Sequence, residues 1–264
     1  MDSNIKPLKK NTKIGAKSVA KSGAKSGAKS GARVRAKIVA KSGARSVPDW
    51  ESLASVLEPA VATVHDVAND NGFFLAGGTG LAIILKHRLS DDLDFFKNVA
   101  FESEQLASLL RSLDPTGEQG LISKSTVYWF AGGDKKQKIS FIAAQGRESR
   151  VENRVVFGHQ IQVASILDIA AMKSLAIIGR VEKKDYVDFA AILHYGKITL
   201  NEILVFNEVK LRGTHYNAQT FLRSLAYFDD VETLPMPIMT SDMSWKDSKC
   251  IISQAVMSML NTGC

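Results

Sequence analysis

The sequence has few of the residues that mark secreted, membrane-bound or zinc-binding proteins. Only two of its 264 residues are cysteines, Cys250 and Cys264, and neither has a C-x-x-C or histidine partner at metal-ligand spacing. No apolar run approaches the roughly 18 to 20 residues of a membrane span, and the N-terminus has no apolar segment typical of a secretion signal. These absences argue against a disulfide framework and a zinc site, and they favour a cytoplasmic protein.

Most of the chain also lacks the positive charge that its formal total of +7 suggests. Residues 1–46 contain thirteen Lys or Arg and one acidic residue, so that segment carries +12. The remaining 21 basic and 26 acidic residues sum to −5. The overall charge therefore does not by itself indicate a basic nucleic-acid groove in the folded part.

Residues 16–47 consist of eight tetrads, beginning AKSV, AKSG, AKSG, AKSG, ARVR, with Lys or Arg at each second place. Such a segment has almost nothing to bury and repels itself, so we expect residues 1–47 to form a disordered basic tail. Three interpretations stay open: a polybasic arm that binds phosphates, an expanded simple repeat without function, or a transit peptide.

Hydrophobic periodicity begins after Pro48 and indicates an α+β protein. Pro59 is able to kink or split the first helix, and Ser165 is placed to cap the helix that runs to about Gly179, with Asp168 as its partner. From Lys184 onward the pattern is helical, except around Pro235 and Pro237. The predicted elements are helices over 50–67, 79–88, 101–113 and 165–179, strands over 73–76, 93–96, 126–130 and 138–143, and a hairpin over 154–164.

Two carboxylates stand out in the stretch GGTGLAIILKHRLSDDLDFF, residues 77–96. Side chains two apart on a strand point the same way, so Asp92 and Asp94 share a face that Leu93 and Phe95 do not. Neighbouring carboxylates repel each other, and partial burial makes this worse unless a cation lies between them. Carboxylate oxygens favour hard ions such as Mg²⁺, which keep positions open for phosphates.

A glycine turn precedes this strand. Gly77 and Gly78 follow a short strand, and the hydroxyl of Thr79 is placed to cap a helix from Gly80, leaving Lys86, His87 and Arg88 near the mouth of a site. A helix N-terminus offers free amides and a partial positive charge for phosphate. The spacing excludes a Walker A loop and a Rossmann fingerprint. The plain structural alternative is an ordinary strand-to-helix turn with solvated acids.

This arrangement of strand, GGT, helix and D-x-D resembles the nucleotidyltransferase fold of the DNA polymerase β superfamily. More narrowly, LAGGTGLAIILKHRLSDDLDFF and DIAAMKSLAIIGRVEKKDYVDFAAIL resemble motifs of the AbiEii/AbiGii toxin nucleotidyltransferases, and the likeness covers residues 50–250. The resemblance implies an enzyme that uses a nucleoside triphosphate, in agreement with the Mg²⁺ that the acid pair favours. It also implies a toxin–antitoxin or phage-defence role with a separately encoded antitoxin, and some members add nucleotides to tRNA 3′ ends.

The later motif block supplies further candidate residues. Lys173 interrupts an apolar helix stripe, so its ammonium either reaches solvent or points at the triphosphate. Asp188 has three open roles: binding the acceptor hydroxyl, orienting Lys173, or forming a structural ion pair. We assign Asp92, Asp94, Lys173 and Asp188 to catalysis, with the first two also as metal ligands. We assign Gly77, Gly78, Thr79, Arg88, Lys184 and Asp185 to nucleotide binding.

One departure from the superfamily pattern concerns the strand KISFI. Superfamily enzymes commonly have a third carboxylate there, and this chain has Ser140, which leaves the general base unassigned. A noncatalytic nucleotide- or partner-binding module is therefore an alternative, and so is nucleic-acid binding through the tail alone. On the leading hypothesis, residues 48–164 form the nucleotidyltransferase domain and residues 165–264 a helical domain that completes the active site. We expect Lys183 and Lys184 to form a solvated basic edge or an RNA phosphate contact, and Lys184 is also a candidate for nucleotide binding.

Overall fold

The computed structural model describes residues 50–132, 136–144, 146 and 148–261, which form a mixed sheet and a set of helices. The predicted basic tail, residues 1–47, lies outside the described residues. Within these ranges no helix is both long and apolar enough to span a membrane.

The helices and strands agree with most of the sequence prediction. The first helix runs unbroken through Pro59, whereas the strand before the glycine turn is only two residues long. The helices are α1 (Trp50–Asp70), α2 (Gly77–Leu85), α3 (Ser103–Leu113), α4 (Ile166–Gly179), α5 (Lys183–His194), α6 (Leu200–Lys210), α7 (Ala218–Ala226), α8 (Asp229–Glu232) and α9 (Trp245–Asn261). The strands are β1 (Phe74–Leu75), β2 (Asp92–Lys97), β3 (Glu118–Ser123), β4 (Thr126–Phe130), β5 (Lys138–Ala143), β6 (Val151–Val156) and β7 (His159–Ala164).

The seven strands form one sheet in the order β3-β4-β5-β2-β1-β7-β6. The pairs β2–β5 and β1–β7 are parallel, and the other neighbours are antiparallel. Strand β3 is not predicted by the sequence, because most of its side chains are exposed and it forms an edge defined only by pairing with β4. The strand that carries the two carboxylates is therefore internal, next to β5.

The sheet separates two hydrophobic cores. On one face, alternate residues of β2, β4 and β5 pack with α1 and α3, among them Phe95 and Phe141, whose rings stack at 5.4 Å. The second core joins α2 to the C-terminal helices and contains Phe189 and Phe221. Because side chains alternate along a strand, the other residues of β2, β4 and β5 face away from the first core. That face is free to line a site.

The predicted helix cap at Ser165 is confirmed. The Ser165 hydroxyl accepts a hydrogen bond from the backbone N–H of Asp168 at 3.2 Å and donates to its carboxylate at 2.6 Å. The same carboxylate is 3.0 Å from Nζ of Lys210 at the end of α6. This capping residue therefore also connects α4 to α6.

The segment between α2 and β2 is held by the chain near the C-terminus. The N–H of Leu89 donates to the carbonyl of Ile238 at 2.8 Å, and the N–H of Thr240 donates to the carbonyl of His87 at 3.0 Å. These bonds use the irregular stretch around Pro235 and Pro237, where the sequence predicts a break between helices. The segment that leads into Asp92 is thus fixed by the helical half of the chain.

Candidate functional site

A cleft of about 680 Å³ lies along the face of the sheet that is turned away from the first core. Most of its walls come from the start of α2, the strands β2, β4 and β5, and the helices α4 and α5. Its lining includes eight residues that the following paragraphs use: Gly77, Gly78, Arg88, Asp92, Asp94, Ser140, Lys173 and Lys184.

The two predicted carboxylates share the cleft face of β2. Asp92 and Asp94 are half-buried, while Leu93 and Phe95 between and beyond them are buried in the first core. Burial, together with the negative charges of Asp91 and Asp94, raises the pKa of Asp92 to about 6. The repulsion expected from the two-residue spacing is therefore present and is only partly offset by Lys138 and Lys184.

The glycine turn lies directly against these acids. Gly77 has a φ of 61°, in the left-handed region that favours glycine, and a Cβ on it would be 2.8 Å from Oδ2 of Asp94. A Cβ on Gly78 would clash with the guanidinium of Arg88. The two glycines are therefore needed so that a carboxylate and a guanidinium can pack against the start of α2.

The predicted role of Thr79 as a helix cap is wrong. The helix begins two residues earlier, at Gly77, after Ala76, which makes no side-chain cap, and the N–H of Gly80 bonds to the Ala76 carbonyl at 2.8 Å. The buried Thr79 hydroxyl instead donates to the backbone carbonyl of Asp92. Thr79 therefore ties α2 to β2 and is not among the residues that line the cleft.

Asp188 is the centre of a buried ion cluster behind the cleft wall. Arg88 holds it with two bonds, from Nε at 2.5 Å and from Nη2 at 2.8 Å, and the His87 Nε2 atom lies 2.8 Å from it. Lys173 forms a further ion pair with it. Burial alone would raise the pKa of Asp188, but Arg88 and Lys173 outweigh it and hold that pKa well below the usual range.

Asp185 extends the buried ion cluster from one helical turn away and joins it to Arg180, whose side chain is 53% exposed. It accepts from Nζ of Lys173 at 2.8 Å and from two guanidinium nitrogens of Arg180 at 2.8 and 3.0 Å. Although burial opposes it, the charges of Lys173 and Arg180 lower the pKa of Asp185. The cations of the cluster line the cleft, whereas Asp185 and Asp188 do not.

Three positions near this cluster differ from expectation. His87 and Arg88, predicted near the mouth of the site, are buried, because Asp188 draws both inward. Lys183, expected to be solvated, is buried too: its ammonium donates to the Glu232 carbonyl at 2.8 Å. Three roles were left open for Asp188. Its contacts with Lys173 and Arg88 agree with two of them, orienting Lys173 and forming a structural ion pair. Lys184 lies at the cleft as expected for nucleotide binding.

Beside Ser140, which the sequence analysis singled out, the neighbouring strands add Lys138 and Tyr128, which it did not. In the parallel register of β2 and β5, Asp94 is opposite Ser140 and Asp92 is opposite Lys138. Tyr128, on β4, is in turn opposite Ser140. Tyr128, Lys138 and Ser140 all line the cleft. The sequence did contain a signal for Lys138: it lies two residues before Ser140 on a predicted strand, which places both side chains on one face.

The donor set fits a hard divalent cation. Across residues 50–132, 136–144, 146 and 148–261, no group of three or more His, Cys, Asp or Glu side chains is arranged to hold a metal ion. Asp92 and Asp94 would therefore provide two oxygen ligands, and water or phosphate oxygens would complete the coordination, as is common for Mg²⁺. The raised pKa of Asp92 agrees with a site that lacks sufficient positive charge from the protein alone.

Comparison with known proteins finds a similar uncharacterized chain and similar solved structures. The chain is 33% identical over 165 residues to uncharacterized protein aq_aa25 of Aquifex aeolicus (strain VF5), covering 61% of this chain and 75% of that one. The fold is similar to a putative nucleotidyltransferase from H. pylori, with a TM-score of 0.51 at 17% identity over 78% of this chain and 93% of the other. MenT4, a nucleotidyltransferase toxin from Mycobacterium tuberculosis H37Rv, has a TM-score of 0.47 at 13% identity, covering 85% of this chain and 87% of its own.

The family comparison agrees with the fold and with the motif region. A family model for the nucleotidyl transferase AbiEii toxin of type IV toxin–antitoxin systems matches residues 61–248, which include the glycine turn, the acid pair and the buried ion cluster. The likeness to the H. pylori structure independently supports a nucleotidyltransferase fold. The chain therefore belongs to the AbiEii family of nucleotidyltransferase toxins.

Proposed function

We propose that this protein transfers a nucleoside monophosphate from a nucleoside triphosphate to a hydroxyl of RNA, such as a tRNA 3′ end, with Mg²⁺ as cofactor. In this proposal residues 48–164 form the catalytic domain and residues 165–264 complete the active site. The biological role is that of a toxin in a toxin–antitoxin or abortive-infection system, with a separately encoded antitoxin. The proposed place of action is the cytoplasm.

The observation that carries the proposal is the contact between the glycine turn and the acid pair. The start of α2 offers amide groups and a partial positive charge, and Gly77 lies against the carboxylate of Asp94. A phosphate bound at this helix start is therefore beside both carboxylates. Mg²⁺ held by Asp92 and Asp94 would supply charge neutralisation to that phosphate group.

The buried ion cluster supplies a further attraction for phosphate. Burial lowers the pKa of His87, so this ring is neutral near pH 7. The cluster then holds three cations against two carboxylates, which leaves one net positive charge. The cations are Arg88, Lys173 and Arg180, and all of them line the cleft. We infer that Asp185 and Asp188 orient these cations toward the triphosphate and do not contact substrate themselves.

The reaction consists of one displacement at phosphorus. The acceptor hydroxyl oxygen forms a bond to the α-phosphorus, while the bond from that phosphorus to the α–β bridging oxygen breaks. The electron pair leaves with pyrophosphate, and the hydroxyl proton passes to water. Because this transition state depends chiefly on positioning and on neutralising charge, Lys173 and Arg88 are suited to the triphosphate and Lys184 to the nucleotide at the cleft rim.

The test is incubation of the purified protein with Mg²⁺, cellular RNA and each α-labelled triphosphate in turn, followed by sequencing of RNA 3′ ends. We expect label in RNA with at least one triphosphate and release of pyrophosphate. The double variant Asp92→Ala, Asp94→Ala should lose the label by about 10³-fold or more. The control is Asp229→Ala, Asp230→Ala, which removes two exposed acids on α8.

Undiminished labelling by the Asp92, Asp94 variant would refute the assignment of the acids. The noncatalytic alternative, motivated by Ser140, makes a different prediction: the triphosphate binds with metal, yet no pyrophosphate is released with any acceptor. The same assay, read for pyrophosphate as well as label, therefore separates the two.

A further inference from the structure

Three neighbouring strands present a continuous row of side chains to the cleft. Tyr128 on β4 is opposite Ser140 on β5, which is opposite Asp94 on β2. In the adjacent row, Lys138 is opposite Asp92. The face that carries the two acids therefore continues into a neutral hydroxyl and an ammonium on the next strand.

The hydroxyl of Ser140 is poorly suited to a second metal ion. The residue is only 1% exposed, and among the described residues its Oγ has no hydrogen-bond partner. A neutral hydroxyl is a weak ligand for hard divalent cations, which favour carboxylate oxygens. Asp91 and Glu182 also line the cleft, but in the described ranges no three acidic, histidine or cysteine side chains are grouped to hold a metal, so the acid pair is equipped to hold one divalent ion.

Lys138 places a fixed positive charge beside this hydroxyl. Its Nζ is 4.5 Å from the centre of the ring of Tyr128, a residue in the row of Ser140, while its own backbone position is opposite Asp92. The side chain is half-buried and lines the cleft, so its position is constrained but remains open to substrate.

In-line displacement at phosphorus is often assisted by two metal ions, one near the attacking oxygen and one near the leaving oxygen. We propose that this enzyme uses one divalent ion, and that the Lys138 ammonium takes the place of a second by binding a non-bridging oxygen of the α-phosphoryl group. Lys138 stays protonated throughout and neutralises charge only. This inference rests on the proposed nucleotidyl transfer and identifies an additional catalytic residue for it.

The first test counts bound metal without measuring activity. The full-length protein is titrated with Mn²⁺ in the presence of a triphosphate analogue that has a non-cleavable α–β bridge. Electron paramagnetic resonance follows the binding of the metal. We expect one Mn²⁺ per chain for the unaltered protein and two for Ser140→Asp, which supplies a carboxylate beside Asp94. The matched control, Ser125→Asp, adds the same charge at an exposed turn and should leave the count at one.

The second test addresses Lys138 directly. Lys138→Met should lower kcat by about 10²-fold, as expected for loss of one group that binds the transition state, while the dissociation constant of the Mn²⁺–analogue complex changes less than about twofold. Lys138→Arg should recover part of kcat because it restores a cation. A kcat of Lys138→Met equal to that of the unaltered protein would overturn the inference.

The two proposals fail in different ways. Two Mn²⁺ ions in the unaltered protein would overturn the one-metal inference and leave nucleotidyl transfer intact. No Mn²⁺ bound with the analogue, together with no labelled product, would instead remove the proposed function. The Lys138 variants keep the inference testable if Ser140→Asp does not fold.

Discussion

Two aspartate pairs, one lining the cleft and one buried behind its wall, differ in what neutralises their charge. Asp92 and Asp94 face the cleft, and the pKa of Asp92 is raised to about 6 by burial and by its acidic neighbours. Asp185 and Asp188 lie behind the wall, and their pKa values are lowered by Arg and Lys side chains despite burial. The first pair is left for a ligand to neutralise, whereas the second is neutralised by the protein.

This difference separates two uses of buried charge in one molecule. Asp185 and Asp188 stabilise the fold only while their cationic partners are present. Removal of one member of the cluster leaves a buried charge without its counter-charge. The ionised carboxylate of Asp92 in the cleft costs stability unless a cation neutralises it, which is a common property of binding sites. Changes in the two pairs should therefore have opposite effects on stability and different effects on activity.

The largest expected effect on stability comes from Asp188→Ala. Loss of this carboxylate leaves Arg88 and Lys173 buried with one fewer partner, which should cost about 3 to 5 kcal/mol of unfolding free energy. Urea denaturation at pH 7 measures the loss. The control Asp229→Ala removes an exposed acid and should change stability by less than about 0.5 kcal/mol. A loss below about 1 kcal/mol in Asp188→Ala would contradict the role of the cluster.

Asp92→Asn should stabilise the protein in metal-free buffer, whereas Asp188→Ala destabilises it. A carboxyl whose folded pKa is raised from 3.8 to about 6 favours the folded state fully below pH 4, and that contribution is lost as pH rises through 6. The neutral variant avoids a loss of about 2 to 3 kcal/mol in the free energy of unfolding. It should therefore be more stable than the unaltered protein at pH 8 and nearly equal to it at pH 4. Thermal unfolding in EDTA at both pH values checks this.

Two further results sharpen the pH comparison. Mg²⁺ should reduce the advantage of Asp92→Asn at pH 8, because the ion would neutralise the aspartate. Asp188 should show the reverse pH trend. Because its pKa is lowered in the folded protein, its ionised carboxylate stabilises the fold above pH 4, and this stabilisation is lost as the pH falls through the pKa of the folded state. An advantage of Asp92→Asn that is the same at pH 4 and pH 8 would show that charge is not its cause.

Gly77→Ala should have a smaller effect on the fold, of about 1 to 2 kcal/mol, because φ is positive and the new Cβ approaches Asp94. We also expect weaker triphosphate binding, which isothermal titration calorimetry can measure. Gly158→Ala is the matched control, since Gly158 also has a positive φ, of 82°, its Cβ would have no heavy atom within 4 Å outside its chain neighbours, and it does not line the cleft. Equal triphosphate affinity in both variants would indicate that the turn does not seat the nucleotide.

Deletion of residues 1–46 should have the smallest effect on chemistry. The segment carries +12 of the formal charge, so its removal should flatten the dependence of RNA binding on salt while transfer to a saturating acceptor changes little. Binding isotherms at 50 and 200 mM salt measure the slope. Loss of all activity on deletion would favour the hypothesis that the protein acts through its tail alone.

The features predicted well from sequence depend on local geometry. The common face of Asp92 and Asp94 follows from strand alternation, the Ser165 cap from a short motif, and the break near Pro235 from the chemistry of proline. Each involves residues within a few positions of one another, so no knowledge of the fold was required. The family likeness rested on the same short stretches.

The wrong predictions concern atoms whose partners are distant in sequence. Thr79 bonds to the carbonyl of Asp92, thirteen residues on, and Lys183 to that of Glu232, 49 residues on. His87 is held in the interior by Asp188, about a hundred residues later, and the same carboxylate holds the buried Arg88 in the cleft wall. Local capping rules and helix faces carry no information about such partners.

The sequence by itself determined which residues share a face, where the helices begin and end to within a few positions, and that two acids follow a glycine turn. Only the tertiary structure decided which acids receive a cation from the protein, and that Lys138 lies over Tyr128 next to Ser140. The physical reason is range: backbone geometry acts over a few residues, whereas charge neutralisation depends on distances in space that only the folded chain defines.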